Sequence, residues 1–251
     1  MTKMRHNNRN TNKRSNKVTQ GTQQIIEEKL SSSEDFDTSW FKPSEGQAEA
    51  MKALDNEDID VVILTGPAGT GKSTAAVAKA LVELKKGHFK QIVFCKNPAE
   101  YGDDQIGYLS GDKESKLSNH MEVMRGIFLD FMSPAKLKAE EGRGRIKFTI
   151  PNFIAGATLY NTCFILDESQ TFTPNTLKLL LERAGEGTKI FVLGDSKQTY
   201  AVKKRADGLA DLLGKILEDG VSKEELFHYV KLTSNDNKRS RLSKRVTELY
   251  D

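Results

Sequence analysis

Short apolar runs rich in β-branched and aromatic residues recur along the chain at Val61–Thr65, Gln91–Cys95, Ile146–Ile150, Thr162–Leu166, Lys189–Leu193 and Leu226–Leu232. Runs of this length, bounded by polar and glycine-containing segments, predict strands. Between most of them the apolar residues change to helical spacing. Ser73–Lys86 is alanine-rich with one apolar stripe. Asn175–Ala184 places Leu177, Leu180 and Leu181 on one face, and Gly208–Leu217 does the same with Leu209, Leu212, Leu213 and Ile216. Strands alternating with helices predict an α/β domain, a mainly parallel central sheet flanked by helices, with right-handed crossovers. Asp103 to Gly144 is less regular and reads as an insertion carrying a helix around Leu117–Met132.

The amino end departs from this pattern. Residues 1–35 read as a tail and linker, and 36–251 as a single domain. Up to position 26 the tail carries Lys3, Arg5, Arg9, Lys13, Arg14 and Lys17 and no acid, and Val18 is the one aliphatic residue of 1–20 other than methionine. Such a segment buries too little to offset its ordering entropy and is expected to be disordered. It reads either as a plain chain end or as an arm drawn to nucleic-acid phosphates. Over the whole chain 38 Lys and Arg face 35 Asp and Glu, so the remainder is slightly acidic.

Composition narrows the class. With 37% hydrophobic residues over 251 positions the chain has material for a sizeable core, which excludes a wholly disordered protein or a disulfide-stapled miniprotein. Cys95 and Cys163 both fall in apolar runs and read as reduced core residues. No run has the length of a membrane span and the amino end lacks an apolar signal core, so a cytoplasmic, membrane-free protein is expected. The histidines are scattered, without metal-ligand spacing.

Three strand ends carry candidate chemistry. The first, Gly66-Pro67-Ala68-Gly69-Thr70-Gly71-Lys72-Ser73, follows one predicted strand and opens a predicted helix. Glycines let successive amides face one centre, and the helix start adds a positive dipole end: together a phosphate cradle. Lys72 is expected to reach the β- and γ-phosphates, and Ser73 to offer a hydroxyl to Mg²⁺. The second is Asp167-Glu168 at the end of Cys163–Leu166. Asp167 is expected to hold the metal, and Glu168 to orient the attacking water. The third is Gly194-Asp195 followed by Gln198, a residue placed to sense the γ-phosphate. Each motif alone has a bland counterpart in an ordinary turn. Their order along the chain is what carries information.

With these motifs in place, the chain from about Pro43 onward resembles the PhoH-like ATPase family, whose fold is the RecA-like core shared with superfamily 1 helicases. The resemblance lies in Gly66–Ser73, Ile106–Asp112, Ile165–Gln170, the block from Leu181 to Gln198, and Asp236–Ser240. It implies ATP and Mg²⁺ as cofactors, single-stranded RNA or DNA as partner, and a homo-oligomer, most simply a hexameric ring. Within it Gln47 resembles an adenine-reading glutamine, although an ordinary helix glutamine reads the same way. Arg239 resembles an arginine that completes a neighbour's site. Trp40 and Phe41 are expected as core anchors rather than base-stacking residues. Departures are Lys96-Asn97-Pro98, where the family has Arg-Pro, and Ser110 in place of a proline. Lys lacks the planar fork of Arg, which leaves the role of position 96 open. The length leaves no room for the PIN-type nuclease domain of some relatives, so no RNase centre is expected.

The leading expectation is thus an ATP hydrolase coupled to single-stranded nucleic acid. An ATP-gated binding module without turnover and, further off, a small-molecule P-loop kinase are the alternatives. An ABC-type ATPase is disfavoured by the lack of a signature loop.

Overall fold

The computed structural model describes residues 36–98, 113–154, 156–195, 207–218, 226–237 and 240–250. The apolar runs become strands β1 (Ile59–Thr65), β2 (Gln91–Lys96), β3 (Ile146–Thr149), β4 (Thr162–Asp167), β5 (Lys189–Gly194) and β6 (Leu226–Lys231). They form one sheet in the order β3-β2-β4-β5-β1-β6. Every pairing in it is parallel, so the sheet is wholly rather than mainly parallel.

Side-chain alternation explains why the central strands read as unbroken apolar runs. Val62, Leu64, Ile92, Phe94, Ile165 and Phe191 bury on one face. Val61, Ile63, Val93, Phe164, Ile190 and Val192 bury on the other. A sheet covered on both sides needs apolar residues at both phases of the pleat. The first face is covered by α1 (Glu45–Ala53), α2 (Lys72–Lys86), α3 (Lys113–Leu129) and α4 (Pro134–Gly142). The second is covered by α5 (Pro151–Ile154), α6 (Pro174–Leu181) and α7 (Gly208–Glu218). Ala75, Ala76, Ala78 and Ala80 are buried, which lets α2 lie close on the sheet. The chain ends in α8 (Arg241–Tyr250), whose Leu242 and Leu249 are exposed.

Parallel strands share one carboxyl-terminal edge, and there the described residues that follow β1, β2, β4, β5 and β6 come together. β5 lies between β1 and β4, in register with both (Val62 opposite Phe191, Phe191 opposite Ile165). A strand interposed between the phosphate-loop strand and the carboxylate strand is the RecA-like arrangement of a P-loop NTPase fold.

Some expectations shift. The irregular insertion holds two helices, α3 and α4, not one, and α3 begins at Lys113 rather than near Leu117. Helix α8 was not predicted, and α1 only through the reading of Gln47 as a helix residue; both are short and follow polar segments. Trp40 is not a core anchor: it is 47% exposed, stacked on Phe131 with ring centroids 5.1 Å apart. Its indole N–H donates to the carbonyl of Asp130, so the polar tip holds the ring at the surface. Phe41 does pack against the core. Cys95 and Cys163 are buried free thiols, and burial pushes the Cys95 thiol up to about 12. Among the described residues no helix is long and apolar enough to cross a membrane. The basic tail, Ile106–Asp112, Gln198 and Arg239 lie outside the described residues.

Candidate functional site

The loop of residues 66–71 leaves β1 and turns directly into α2. Gly71 caps that helix in the left-handed conformation (φ 70°), with no side chain bonding the first-turn amides. Those N–H groups have no carbonyl within the helix to donate to, and with the helix dipole they favour an anion at this point. A β-carbon on Gly71 would stand 2.7 Å from Gln47 Nε2, so only glycine fits. Lys72 lies at the mouth of the loop, where its Nζ donates to the carbonyls of Gly66 (2.5 Å) and Pro67 (3.0 Å). Thr70, buried, donates its hydroxyl to the Pro67 carbonyl at 2.8 Å.

Gln47 props this loop from beneath. It is buried at position N3 of α1, where its Oε1 accepts from the Ser44 N–H (2.8 Å) in a capping box. Its Nε2 donates to the carbonyl of Thr70 at 2.7 Å. One lone pair and one N–H of the amide are left for anything else. Asn237 steadies the far rim, donating Nδ2 to the Ala68 carbonyl at 3.3 Å. The Asp236–Asn237 segment is thereby at the phosphate loop of its own chain.

Asp167 and Glu168 complete the site. Asp167 ends β4 and is 3% exposed. Ser73 Oγ donates to its Oδ1 at 2.7 Å, joining loop and carboxylate strand directly. Lys96 ends β2, in register opposite Asp167. Its Nζ donates to Asp167 Oδ2 at 3.2 Å and stands 3.8 Å from Glu168 Oε1. Glu168 occupies left-handed backbone space (φ 53°), a strained conformation for a non-glycine residue that turns its side chain off the strand. Gln170 then holds that side chain. Its Nε2 donates to Glu168 Oε2 at 2.7 Å, and its Oε1 accepts from the Asp195 N–H at 3.2 Å. At Gly194 a β-carbon would stand 2.5 Å from Gln170 Oε1, so any larger residue there would push this glutamine from its place. Asn97 donates to the Thr171 carbonyl (2.9 Å), and Thr171 Oγ1 to the Glu168 carbonyl (2.7 Å). The turn after β4 is therefore tied to the ends of both β2 and β5.

These groups open onto a cleft of about 670 Å³, reached by Lys72, Ser73, Lys96, Asp167, Glu168 and, at its outer wall, Trp40. That volume suits a nucleotide-sized ligand. Among the described residues no cluster of three or more His, Cys, Asp or Glu could hold a metal on its own. A hydroxyl and one carboxylate in contact fit Mg²⁺ held mainly by water and substrate phosphates.

Lys72, Ser73, Asp167 and Glu168, singled out from sequence, thus come together. Gln47 lines the same cleft, its amide bonded to the Thr70 carbonyl of the loop. Two residues were not assigned these parts from sequence. Lys96 was noted where the family has an arginine, with its role left open, and its tie to Asp167 was not foreseen. Gln170 carried only the signal of an amide two residues past Glu168.

Comparison with known proteins bears on this arrangement. A PhoH-like protein of Bacillus subtilis (strain 168) is 33% identical over 209 residues, 82% of this chain and 62% of the relative. Protein PhoH2 of the same organism is 38% identical over 160 residues, 61% of this chain and 35% of that one. Protein PhoH of Escherichia coli (strain K12) is 28% identical over 212 residues, covering 82% of this chain and 57% of its own. The chain spans about three fifths of the length of the first two curated relatives, 62% and 60%. Among solved structures, the large terminase of a thermophilic bacteriophage superposes with TM-score 0.49 at 12% identity, over 84% of this chain and 51% of that one. The DUF1998 helicase MrfA bound to DNA gives TM-score 0.45 at 11% identity, over 78% and 26%. These likenesses are too distant to speak for activity. The model described as PhoH-like protein matches residues 42–251, and with the relatives above it shows that the chain belongs to the PhoH-like protein family.

Proposed function

We propose that the chain is a Mg²⁺-dependent ATP hydrolase whose cycle is coupled to single-stranded nucleic acid. The observation that carries the hydrolase reading is the 2.7 Å contact between Ser73 and Asp167, with Glu168 beside it on the cleft. The amides at the start of α2 and the Lys72 ammonium bind and orient the phosphates. Ser73 and Asp167 hold the metal, which supplies charge neutralisation on the phosphate oxygens. Glu168, fixed by Gln170, aligns and polarises the attacking water. Catalysis of this kind is positioning and electrostatics, which a rigid strand-end constellation supplies.

Partner and assembly are read more indirectly. The cationic segment 1–26 supports nucleic-acid binding. The proposed oligomer, a hexameric ring, rests on Arg239 completing a site. Asn237, two positions earlier in sequence, touches the loop of its own chain, so distance along the chain does not decide whose site Arg239 serves. Mixing Lys72→Ala with Arg239→Ala does: regained activity means the arginine acts in trans, and none despite subunit exchange means it acts in cis.

The test of the central reading is ATP turnover with Mg²⁺ or with EDTA, alone and with single-stranded RNA, single-stranded DNA and duplexes. Metal-dependent turnover stimulated by single strands is the expected result. Nucleotide binding without turnover would leave a gated binding module, and transfer to a small acceptor would identify a kinase.

A further inference from the structure

We infer that Lys96 is a displaceable counter-ion for Asp167 and Glu168, which bars free divalent metal from the site until a nucleotide brings both metal and a competing anion. This rests on Ser73 and Asp167 being the metal-holding pair. The two oxygens of Asp167 are already divided: Oδ1 accepts from Ser73, and Oδ2 from Lys96 Nζ at 3.2 Å. Lys96 therefore draws on the carboxylate that the metal needs. It also leans toward Glu168, 3.8 Å away, too far for a hydrogen bond but close enough to offset its charge. Without a cation, two adjacent carboxylates, one of them 3% exposed, would face each other in a poorly solvated cleft.

Two features make this cation movable rather than fixed. The Lys96 side chain is 16% exposed and lines the same cleft as Lys72, so its head can turn from carboxylate to phosphate without leaving the site. The flexible four-carbon stem permits that, whereas the next residue, Asn97, is pinned to the Thr171 carbonyl. The motion therefore falls to the ammonium and not to the backbone. An incoming γ-phosphate offers it a new partner while the metal takes over Asp167.

The experiment titrates the nucleotide-free full chain with Mn²⁺ and follows bound metal by electron paramagnetic resonance. K96M, and K96Q as a second neutral variant should K96M not fold, is expected to bind Mn²⁺ ~10-fold or more tightly than the parent. K96R keeps the charge and should match the parent. Unchanged or weaker Mn²⁺ binding in the neutral variant overturns the inference, as does K96R behaving like K96M, because the effect would then be packing. A parallel titration with a non-hydrolysable ATP analogue separates the two readings. If D167N binds Mn²⁺ with that analogue as well as the parent does, the metal assignment fails and this inference with it. If binding there depends on Asp167 while K96M leaves nucleotide-free affinity unchanged, this inference alone fails.

Discussion

Helix α2 has a buried carboxylate cluster at each end, and the two are built on opposite plans. At its carboxyl end Glu83, 4% exposed at the side chain, accepts from Lys79 (2.9 Å), Lys86 (2.9 Å) and His88 (2.5 Å), while Lys79 also pairs with Asp55. Burial alone would raise the Glu83 carboxyl, but the hydrogen bonds from Lys79, Lys86 and His88 outweigh it and hold the group down at about 2. At its amino end Asp167 and Glu168 share one ammonium at 3.2 and 3.8 Å. Glu168 stands on strained backbone and a third of its side chain is exposed. The first cluster is saturated and closed. The second keeps acceptors facing a cleft. A helix start without a side-chain cap, and two adjacent carboxylates with one ammonium between them, are costly in a folded chain unless a ligand completes them. The difference marks one end as built for stability and the other for exchange of partners.

The largest effects should come from the open end. Lys72→Ala should weaken nucleotide binding and abolish turnover. Glu168→Gln should retain ATP and lower turnover by ~10²–10⁴-fold, the usual loss for a positioned acid–base group. Phosphate release reports turnover, and fluorescence of Trp40, the chain's single tryptophan, at the cleft wall reports binding. Undiminished hydrolysis in Glu168→Gln would remove that residue from the reaction. Gln170→Ala should lower kcat by ~10–100-fold with little change in KM, the range seen when an orienting partner is lost. A rise in KM alone would show that Gln170 shapes binding and does not aim Glu168.

How much of this contrast was legible beforehand follows from its physics. Strand ends and the phosphate loop are local patterns, so Lys72, Ser73, Asp167 and Glu168 could be named from spacing alone. The ties among them are not local. Lys96 meets Asp167 only because β2 pairs with β4 in that register. Gln170 reaches Asp195 only because β5 is the other neighbour of β4. Gln47 read either as an adenine-reading residue or as an exposed helix glutamine, and nothing in the sequence shows that its amide bonds the carbonyl of residue 70. Trp40 was misplaced for the same reason: aromatic residues usually bury, and only the Asp130 carbonyl, 90 positions on, explains why this one stays at the rim.

The closed end predicts stability effects with activity spared. Glu83→Gln removes the buried one of the two carboxylates that pair with Lys79, leaving it the more exposed Asp55, and should cost roughly 3 kcal/mol. For a chain of this size that lowers Tm by ~6–12 °C. Nucleotide affinity at the opposite end of α2 should not move, and a matching loss there would mean that the two ends are coupled. The pH dependence has a definite sign. The Glu83 carboxyl lies below its ordinary 4.5 in the folded chain, so its contribution is complete above about pH 4.5 and is lost as pH falls toward about 2. The parent should therefore lose more stability across that window than Glu83→Gln. Parallel curves would show that Glu83 is not responsible.

The smallest expected effect separates the buried part of the closed cluster from its exposed rim. His88 bonds the same carboxylate as Lys79, but its side chain is 65% exposed against 7% for Lys79. Water can take the place of an exposed donor at little loss, and exposed ion pairs contribute about 0–1 kcal/mol. A buried ammonium has no such substitute, and removing it leaves Glu83 with only its more exposed partners, Lys86 and His88. His88→Ala should accordingly lower Tm by no more than ~2–4 °C, while Lys79→Met should cost several times more. A double variant tests whether the two donors act through one carboxylate, since groups sharing a partner do not add. With Lys79 already removed, His88 and Lys86 are the remaining side-chain partners of Glu83 among the contacts described, so losing His88 should hurt more in that background than in the parent. Strict additivity in thermal melts would show that His88 stabilises the turn after α2 by some route other than Glu83.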